Sequence, residues 1–367
     1  MAFVSLRTTG FRNLADTQVD IRGKDIFLIG ENGQGKTNFL EAIYYACYGS
    51  SFRGVRDNEL VRIGEKDCSV ALEVEGQIHT EVTVSFAEGK KIIKQDNKRV
   101  EDRKDLLTVT PCIVFCHEDM EFVAGSPERR RWFFDQTQSL GDPLYLEDLR
   151  NFRRVLKTRN TLLRSVYQKN EASPVECLAL LDALDPQLVS YGLELMKKRQ
   201  AEAEAFTRIF EPLYGEISGL DGISVRYAPS WKNYAHELLL AELTERREKD
   251  LAFGISLSGP HRDRYMFIRK GREFSGNAST GQRLLLALLL RIAQARIFSE
   301  KTGKNPVLLL DDVLLELDGE KRKKFLSLMP GYDQAFYTFL PGEPYEQYRK
   351  AGTMVYSVSA GTLKWET

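Results

Sequence analysis

Along the first hundred residues apolar and polar positions tend to alternate, and beyond them the alternation gives way to a longer period. Val4, Leu6 and Thr8 fall on one face of an extended segment that ends at Gly10. Residues 68–86 (CSVALEVEGQIHTEVTVSF) place Val70, Leu72 and Val74 on one face, turn near Glu75-Gly76, and resume with Ile78, Val82 and Val84. This pattern predicts a β-hairpin. A second hairpin is predicted over 90–100, with its turn at Asp96-Asn97. From Glu128 to about Lys249 apolar residues recur every three to four positions, most clearly over 178–217, which predicts a largely helical insert. Strand and loop texture returns over 253–274. A strong helix follows, carrying the apolar run Leu284 to Leu290, and then the run PVLLLDD at 306–312. The expected organisation is an N-terminal part (1–127), a helical arm (128–250) and a C-terminal part (251–367), with no internal repeat.

One junction in this pattern carries chemistry. A strand-like run, Asp25 to Ile29, leads into GENGQGKT, and a helix-like run from Asn38 to Ile43 leads out, with Gly49 placed to stop the helix. Gly30, Glu31, Asn32, Gly33, Gln34, Gly35, Lys36 and Thr37 satisfy the G-x-x-x-x-G-K-[ST] phosphate loop. Glycines let the backbone wrap tightly and aim successive N–H groups at phosphate oxygens. The N-terminus of the following helix adds partial positive charge. Lys36 is placed to reach the β- and γ-phosphates, and Thr37 to ligate Mg²⁺. A chance glycine turn before a helix is the plain alternative, but a strand before the loop and a helix after it argue for nucleotide binding.

A phosphate loop needs an acidic partner. Val307 to Leu310 form a continuous apolar run, as expected of a strand buried on both faces of a parallel sheet, and Asp311-Asp312 stand at its carboxyl end, where ligands bind in such sheets. Asp311 is assigned to the Mg²⁺ shell and Asp312 to the attacking water. Lys36 and Asp311 are far apart in sequence, so the segment between them must leave and rejoin a split ATPase core. A third element precedes the Leu284 helix. Ser279 and Gln282 have capping-box spacing, which marks a second helix N-terminus suited to an anion, although a well-capped core helix would look the same.

Composition bounds the reading. With 52 Lys+Arg against 52 Asp+Glu, formal net charge is zero, which excludes a uniformly basic nucleic-acid coat but not a local patch. At 43% hydrophobic and 28% charged, the 367-residue chain has the composition of a folded protein long enough for two domains. No apolar run approaches the roughly 20 residues of a membrane-spanning helix. No targeting pattern is visible, so a cytoplasmic location is expected. Cys47, Cys68, Cys112, Cys116 and Cys177 are scattered and read as free thiols. Cys112-x-x-x-Cys116-His117 lacks the second pair that a metal site would need.

The order of the phosphate loop, the Ser279 loop, the Asp311 strand and Glu316-Leu317-Asp318 resembles ABC-type ATPases. Three further stretches narrow the likeness: Gly10-Phe11-Arg12-Asn13-Leu14, Gly125-Ser126-Pro127-Glu128-Arg129-Arg130-Arg131, and Ser258-Gly259-Pro260-His261-Arg262-Asp263. Together, from about residue 6 to 320, these motifs resemble the RecF family of bacterial DNA replication and repair ATPases. That resemblance implies an α/β ABC-type P-loop ATPase head with a split core, N-terminal β-hairpins and a helical inserted arm. It also implies an ATP-dependent homodimer in which Ser279 of one copy grips the γ-phosphate held by the other. The implied partners are DNA, at junctions of single and double strands, and the proteins RecR and RecO, with which the family loads recombinase onto gapped DNA. Hydrolysis is expected to be slow and DNA-dependent, with Asp312, Lys36 and Ser279 as the catalytic set. Arg12 is assigned to the nucleotide base or α-phosphate. The chain departs from the pattern at Thr280, His117 and Leu315. It offers Thr338 where transporter ATPases carry a switch histidine, and the γ-phosphate-sensing glutamine has no clear counterpart.

Two basic stretches are candidates for DNA backbone contact. Residues 89–104 hold seven Lys/Arg against three acids, and residues 147–164 hold six against two. In the second, Arg150, Arg153, Arg154, Lys157 and Arg164 share a broad helical face. A solvated helix face is the plain alternative. Three rival functions remain open on the sequence. A transporter ATPase subunit would ignore DNA. A small-molecule P-loop kinase would have a compact core. A long-armed chromosome-organising ATPase would need an insert far longer than 128–250.

Overall fold

The computed structural model of the protein describes residues 2–76, 78–102, 104–168 and 174–366, with the backbone alone at 108, 174 and 175. In chain order, β1 (Ala2–Thr9), β2 (Thr17–Asp20) and β3 (Asp25–Ile29) precede α1 (Lys36–Tyr48). Then come β4 (Cys68–Glu75), β5 (Thr80–Ala87), β6 (Lys90–Gln95), β7 (Lys98–Arg99), α2 (Lys104–Val109) and β8 (Cys112–Phe115). The middle of the chain holds α3 (Glu121–Ala124), α4 (Pro127–Gly141), α5 (Pro143–Tyr167), α6 (Pro174–Ser218), β9 (Ile223–Ala228), α7 (His236–Phe253), β10 (Arg264–Arg269) and β11 (Arg272–Glu273). The chain continues through α8 (Thr280–Thr302), β12 (Val307–Leu310), α9 (Gly319–Ser327), β13 (Gln334–Phe339), β14 (Met354–Ser359) and β15 (Thr362–Glu366).

These elements divide into two compact units. One runs up to Met120 and resumes at Thr280; the other is Glu121–Ser279. The sequence texture drew the boundaries elsewhere, at 127/128 and 250/251. The difference at the second boundary comes from strand pairing: β10 pairs antiparallel with β9 and β11, so residues through 273 go with the middle segment. That segment is therefore not purely helical.

The first unit holds two six-stranded sheets. One, β2-β1-β4-β5-β6-β7, is antiparallel throughout; the other has the order β15-β14-β3-β13-β12-β8. From β14 to β8 its strands are parallel, and β15 closes the edge antiparallel. β3 and β12 are buried along their whole length, which explains why both read as unbroken apolar runs. Helix α1 packs on β4 and β5 of one sheet and on β13 and β8 of the other. Gln334 ties the layers together: its Oε1 accepts from Phe3 N (2.8 Å) and its Nε2 donates to Phe3 O (3.1 Å) and Gly23 O (2.9 Å). A fully buried amide is tolerated because its polar atoms are satisfied.

The predicted 68–86 hairpin pairs Cys68 with Phe86 through Val74 with Thr80. Ile78 does not join it. That residue is 78% exposed in the connection, ahead of β5. Val4 is also displaced from the expected face, because a register shift between Phe3 and Ser5 buries Phe3, Ser5 and Leu6 and leaves Val4 half-buried. Such a bulge resets the two-residue alternation, which a pattern count cannot see. Asp96 and Asn97 turn β6 into β7 with φ of 50° and 65°, the left-handed region these two residues tolerate best.

In the second unit, α5, α6 and α7 bury Phe152, Leu188, Met196, Trp231, Leu239 and Leu243 together. The Ser-Pro-x-x-Arg-Arg stretch is a helix start. Ser126 caps α4 by accepting from Arg129 N, and Pro127 occupies the first turn. Arg131 donates to Asp263 O (2.7 Å), so this stretch meets the Gly-Pro-His-Arg-Asp stretch directly.

Candidate nucleotide site

The site grows from two strand ends in the same parallel sheet. β3 delivers the phosphate loop, and β12 ends just before Asp311-Asp312. Between these strands lies β13, paired to both. The tertiary fold thereby brings positions 36 and 311 together: Thr37 Oγ1 donates to Asp311 Oδ1 at 2.9 Å.

The loop is held from several sides. Lys36 is buried, and its Nζ donates to Gly30 O (2.7 Å) and Glu31 O (3.3 Å). Gly33 and Gly35 adopt φ of 78° and 117°, and Gly35 is the residue that opens α1. Asn13 Nδ2 donates to Gly33 O (3.0 Å), and Asn38 Nδ2 donates to Asn13 Oδ1 (2.7 Å). Gln34 is anchored on the β14–β15 turn, its Oε1 accepting from Ala360 N (2.7 Å) and its backbone oxygen from Gly361 N (2.9 Å).

A cavity of about 290 Å³ opens over this loop. Among the assigned residues, Arg12, Glu31, Asn32, Gly33, Gly35, Lys36, Thr37 and Asp312 line it. Gly30 and Gln34 support the loop, and Asp311 joins through Thr37. Ser279 is exposed and immediately precedes α8.

Burial, above all, pushes the Asp311 carboxyl up to about 7. The Thr37 hydroxyl opposes this, and the charges of Asp312 and Glu118 add to it. The donor set suits a hard cation: a hydroxyl and a carboxylate oxygen, both half-buried, meet beside the phosphate loop, and a divalent ion there would favour the ionised carboxylate. Thr37 and Asp311 are the residues that would hold Mg²⁺.

Sequence reasoning missed three participants and gave a fourth no link to Asp312. Glu41, fully buried one turn into α1, accepts from Arg12 Nε (3.0 Å) and Nη2 (3.3 Å) and lies 3.8 Å from Arg53. It fixes the guanidinium of Arg12 beside the cavity, which Arg53 also lines. A carboxylate inside an apolar helical run was the available signal. Gly361 is the third: a Cβ there would fall 1.8 Å from Asn13 O. Thr338, noted only for standing where transporter ATPases carry a switch histidine, bonds Asp312.

With this geometry established, the chain can be set beside known proteins. The family described as RecF/RecN/SMC N terminal domain matches residues 3–359. The chain belongs to the RecF family. It is 43% identical over 353 residues to the DNA replication and repair protein RecF of Treponema pallidum (strain Nichols), spanning 96% of this chain and 97% of that protein. To RecF of Bacillus subtilis (strain 168) it is 31% identical over 379 residues, spanning 99% and 100%. Among solved structures, the recombination mediator protein RecF-ATP in the RecFOR pathway superposes with a TM-score of 0.89 at 27% identity, covering 100% of this chain and 98% of that one. The Smc head domain of Pyrococcus furiosus, at 16% identity and a TM-score of 0.55, shares the fold. The fold is that of an ABC-type ATPase head, and the transporter, kinase and long-armed readings are not favoured. Among the described residues, no helix is long and apolar enough to cross a membrane.

Proposed function

We propose that this chain is an ATP-dependent DNA-binding protein of recombinational repair. In this reading ATP joins two copies across gapped or junction DNA, and slow, DNA-dependent hydrolysis releases them. The observation that carries the reading is the 2.9 Å bond between Thr37 and Asp311, which unites the two halves of a nucleotide site in a chain of the RecF family. Structural similarity to a RecF-ATP complex supports ATP as the nucleotide.

Loop N–H groups and Lys36 bind the phosphates, and Arg12, braced by Glu41, lies against the nucleotide. Bound Mg²⁺ would neutralise charge on the phosphate oxygens. Asp312 orients the attacking water and takes its proton. Ser279 of a second copy completes the site, so that dimerisation depends on ATP. RecR and RecO are the proteins with which the dimer helps load recombinase, and the cytoplasm is where it acts. The exposed α5 residues Arg150, Arg153, Arg154, Lys157 and Arg164 supply DNA backbone contact. Arg159 of the same stretch does not: it is fully buried, paired with Asp185 (2.8 Å) and Asp250 (2.6 Å). In the other basic stretch Lys91 is bound to Asp57 (2.8 Å) while Lys90, Lys94, Lys98 and Arg99 are exposed; Arg103 lies outside the described residues.

Light scattering and nucleotide titration test this. Lys36→Ala is expected to lose ATP binding. Asp312→Asn is expected to bind ATP and persist as a dimer on DNA. An Asp312→Asn protein that stays monomeric with saturating ATP and DNA refutes the ATP-joined dimer.

A further inference from the structure

Among the described residues, one side chain holds Asp312. Thr338, 2% exposed on β13, accepts from the Asp312 backbone N–H at 2.7 Å and donates to Asp312 Oδ1 at 2.7 Å. One hydroxyl thus fixes both the main chain and the carboxylate of the same residue. Asp312 has a φ of 53°, in the left-handed region that aspartate tolerates, and the Thr338 hydroxyl bonds it there. Among the described residues Thr338 is the only one whose side chain bonds the Asp312 carboxylate, and Oδ2 carries no protein hydrogen bond. That oxygen belongs to a residue lining the 290 Å³ cavity beside Lys36 and Thr37.

We infer that Thr338 is the positioning residue for Asp312, fixing the carboxylate so that its second oxygen faces the attacking water. This rests on the assignment of Asp312 to that water. It gives Thr338 a task unlike that of a switch residue contacting the γ-phosphate, because its hydroxyl is already occupied by Asp312. β13 is well placed for the task. It is the strand between β3 and β12, and its register sets Tyr337 against Leu310, so Thr338 falls level with the step from strand to acidic pair. A buried central strand moves little, and misplacing a reacting group by about 1 Å costs on the order of 100-fold in rate.

The test is ATP hydrolysis under saturating ATP and DNA, with ATP affinity measured separately by titration, for Thr338→Val, Thr338→Ser and Asp312→Asn. Valine keeps the shape and removes the hydroxyl. Thr338→Val is expected to lower kcat by about 10- to 100-fold while ATP affinity changes by less than about 3-fold. Serine should restore kcat to within a few-fold of wild type. Thr338→Val combined with Asp312→Asn should be no slower than Asp312→Asn alone, because both act on one step. If valine impairs folding, judged by thermal melting, Thr338→Ala provides the same comparison with serine. Wild-type kcat in Thr338→Val, beside an inactive Asp312→Asn, overturns the positioning role and leaves the base assignment standing. An active Asp312→Asn overturns the base assignment and the inference with it. Loss of ATP binding in Thr338→Val, or no rescue by serine, indicates a merely structural threonine and also overturns the inference.

Discussion

At the scale of single residues, Asp311 shows how burial shapes the site. Its carboxyl titrates near 7 in the folded chain against an ordinary value of 3.8, chiefly because burial disfavours the charge. Between those two values the folded chain binds a proton that the unfolded chain does not, so stability falls as pH rises through that window. Asp311→Asn removes the effect. Without Mg²⁺ or nucleotide, Asp311→Asn is expected to melt above wild type at pH 8, with the gap narrowing as pH falls toward 5. Each tenfold change in proton affinity is worth about 1.4 kcal/mol, so the gap has an upper bound of about 4 kcal/mol. A gap that does not change with pH, read by thermal denaturation, contradicts this account. The buried pair of Glu41 and Arg12 makes a related point. Nothing in the sequence pattern singled out Glu41, yet it is the group that holds the Arg12 guanidinium beside the cavity. Which acid braces which base depends on a pairing of residues 29 positions apart in sequence.

At the scale of elements, the β14–β15 turn is the unexpected contributor. Ala360 and Gly361 have φ of 47° and 76°, and their N–H groups hold Gln34 of the phosphate loop. Gly361 has no room for a side chain against Asn13 O. Gly361→Ala is expected to cost about 1–3 kcal/mol, through left-handed strain and the displacement of Asn13. It should also weaken ATP binding several-fold, measurable by titration of the folded variant. Unchanged ATP affinity would mean that the turn supports the fold but not the loop. Nothing in the sequence pattern said that this turn touches position 34. The phosphate loop was legible for the opposite reason: its glycines, lysine and threonine are contiguous, and their function lies in local backbone geometry.

At the scale of the whole molecule, the chain balances to zero net charge and relies on local faces. Helix α5 exposes Arg153, Arg154 and Lys157 on one side and buries Arg159 on the other. Replacing those three exposed residues by glutamine is expected to weaken DNA binding and flatten its salt dependence. The slope of log affinity against log salt should shrink by about 0.9 for each phosphate that the variant no longer neutralises. The same substitutions should leave ATP binding unchanged. An unaltered slope would move the DNA-binding face elsewhere, with the exposed lysines of β6 and β7 next in line. The split of the chain into two units follows the same logic of local and distant signals. The insert was legible from its helical period, whereas its far boundary was not, since β10 belongs with β9 through pairing that no local pattern records.

The sequence by itself determined the ATPase fold class, the phosphate loop, the acidic strand end and the likeness to the RecF family. Each of these is written in contiguous residues whose local geometry or hydrophobic period carries the meaning. Only the tertiary structure decided that Glu41 braces Arg12, that Gly361 supports the loop, and that Thr338 holds Asp312. Those are pairings of residues far apart in sequence, set by how strands, helix α1 and loops meet on folding, and a one-dimensional pattern holds no distance between them.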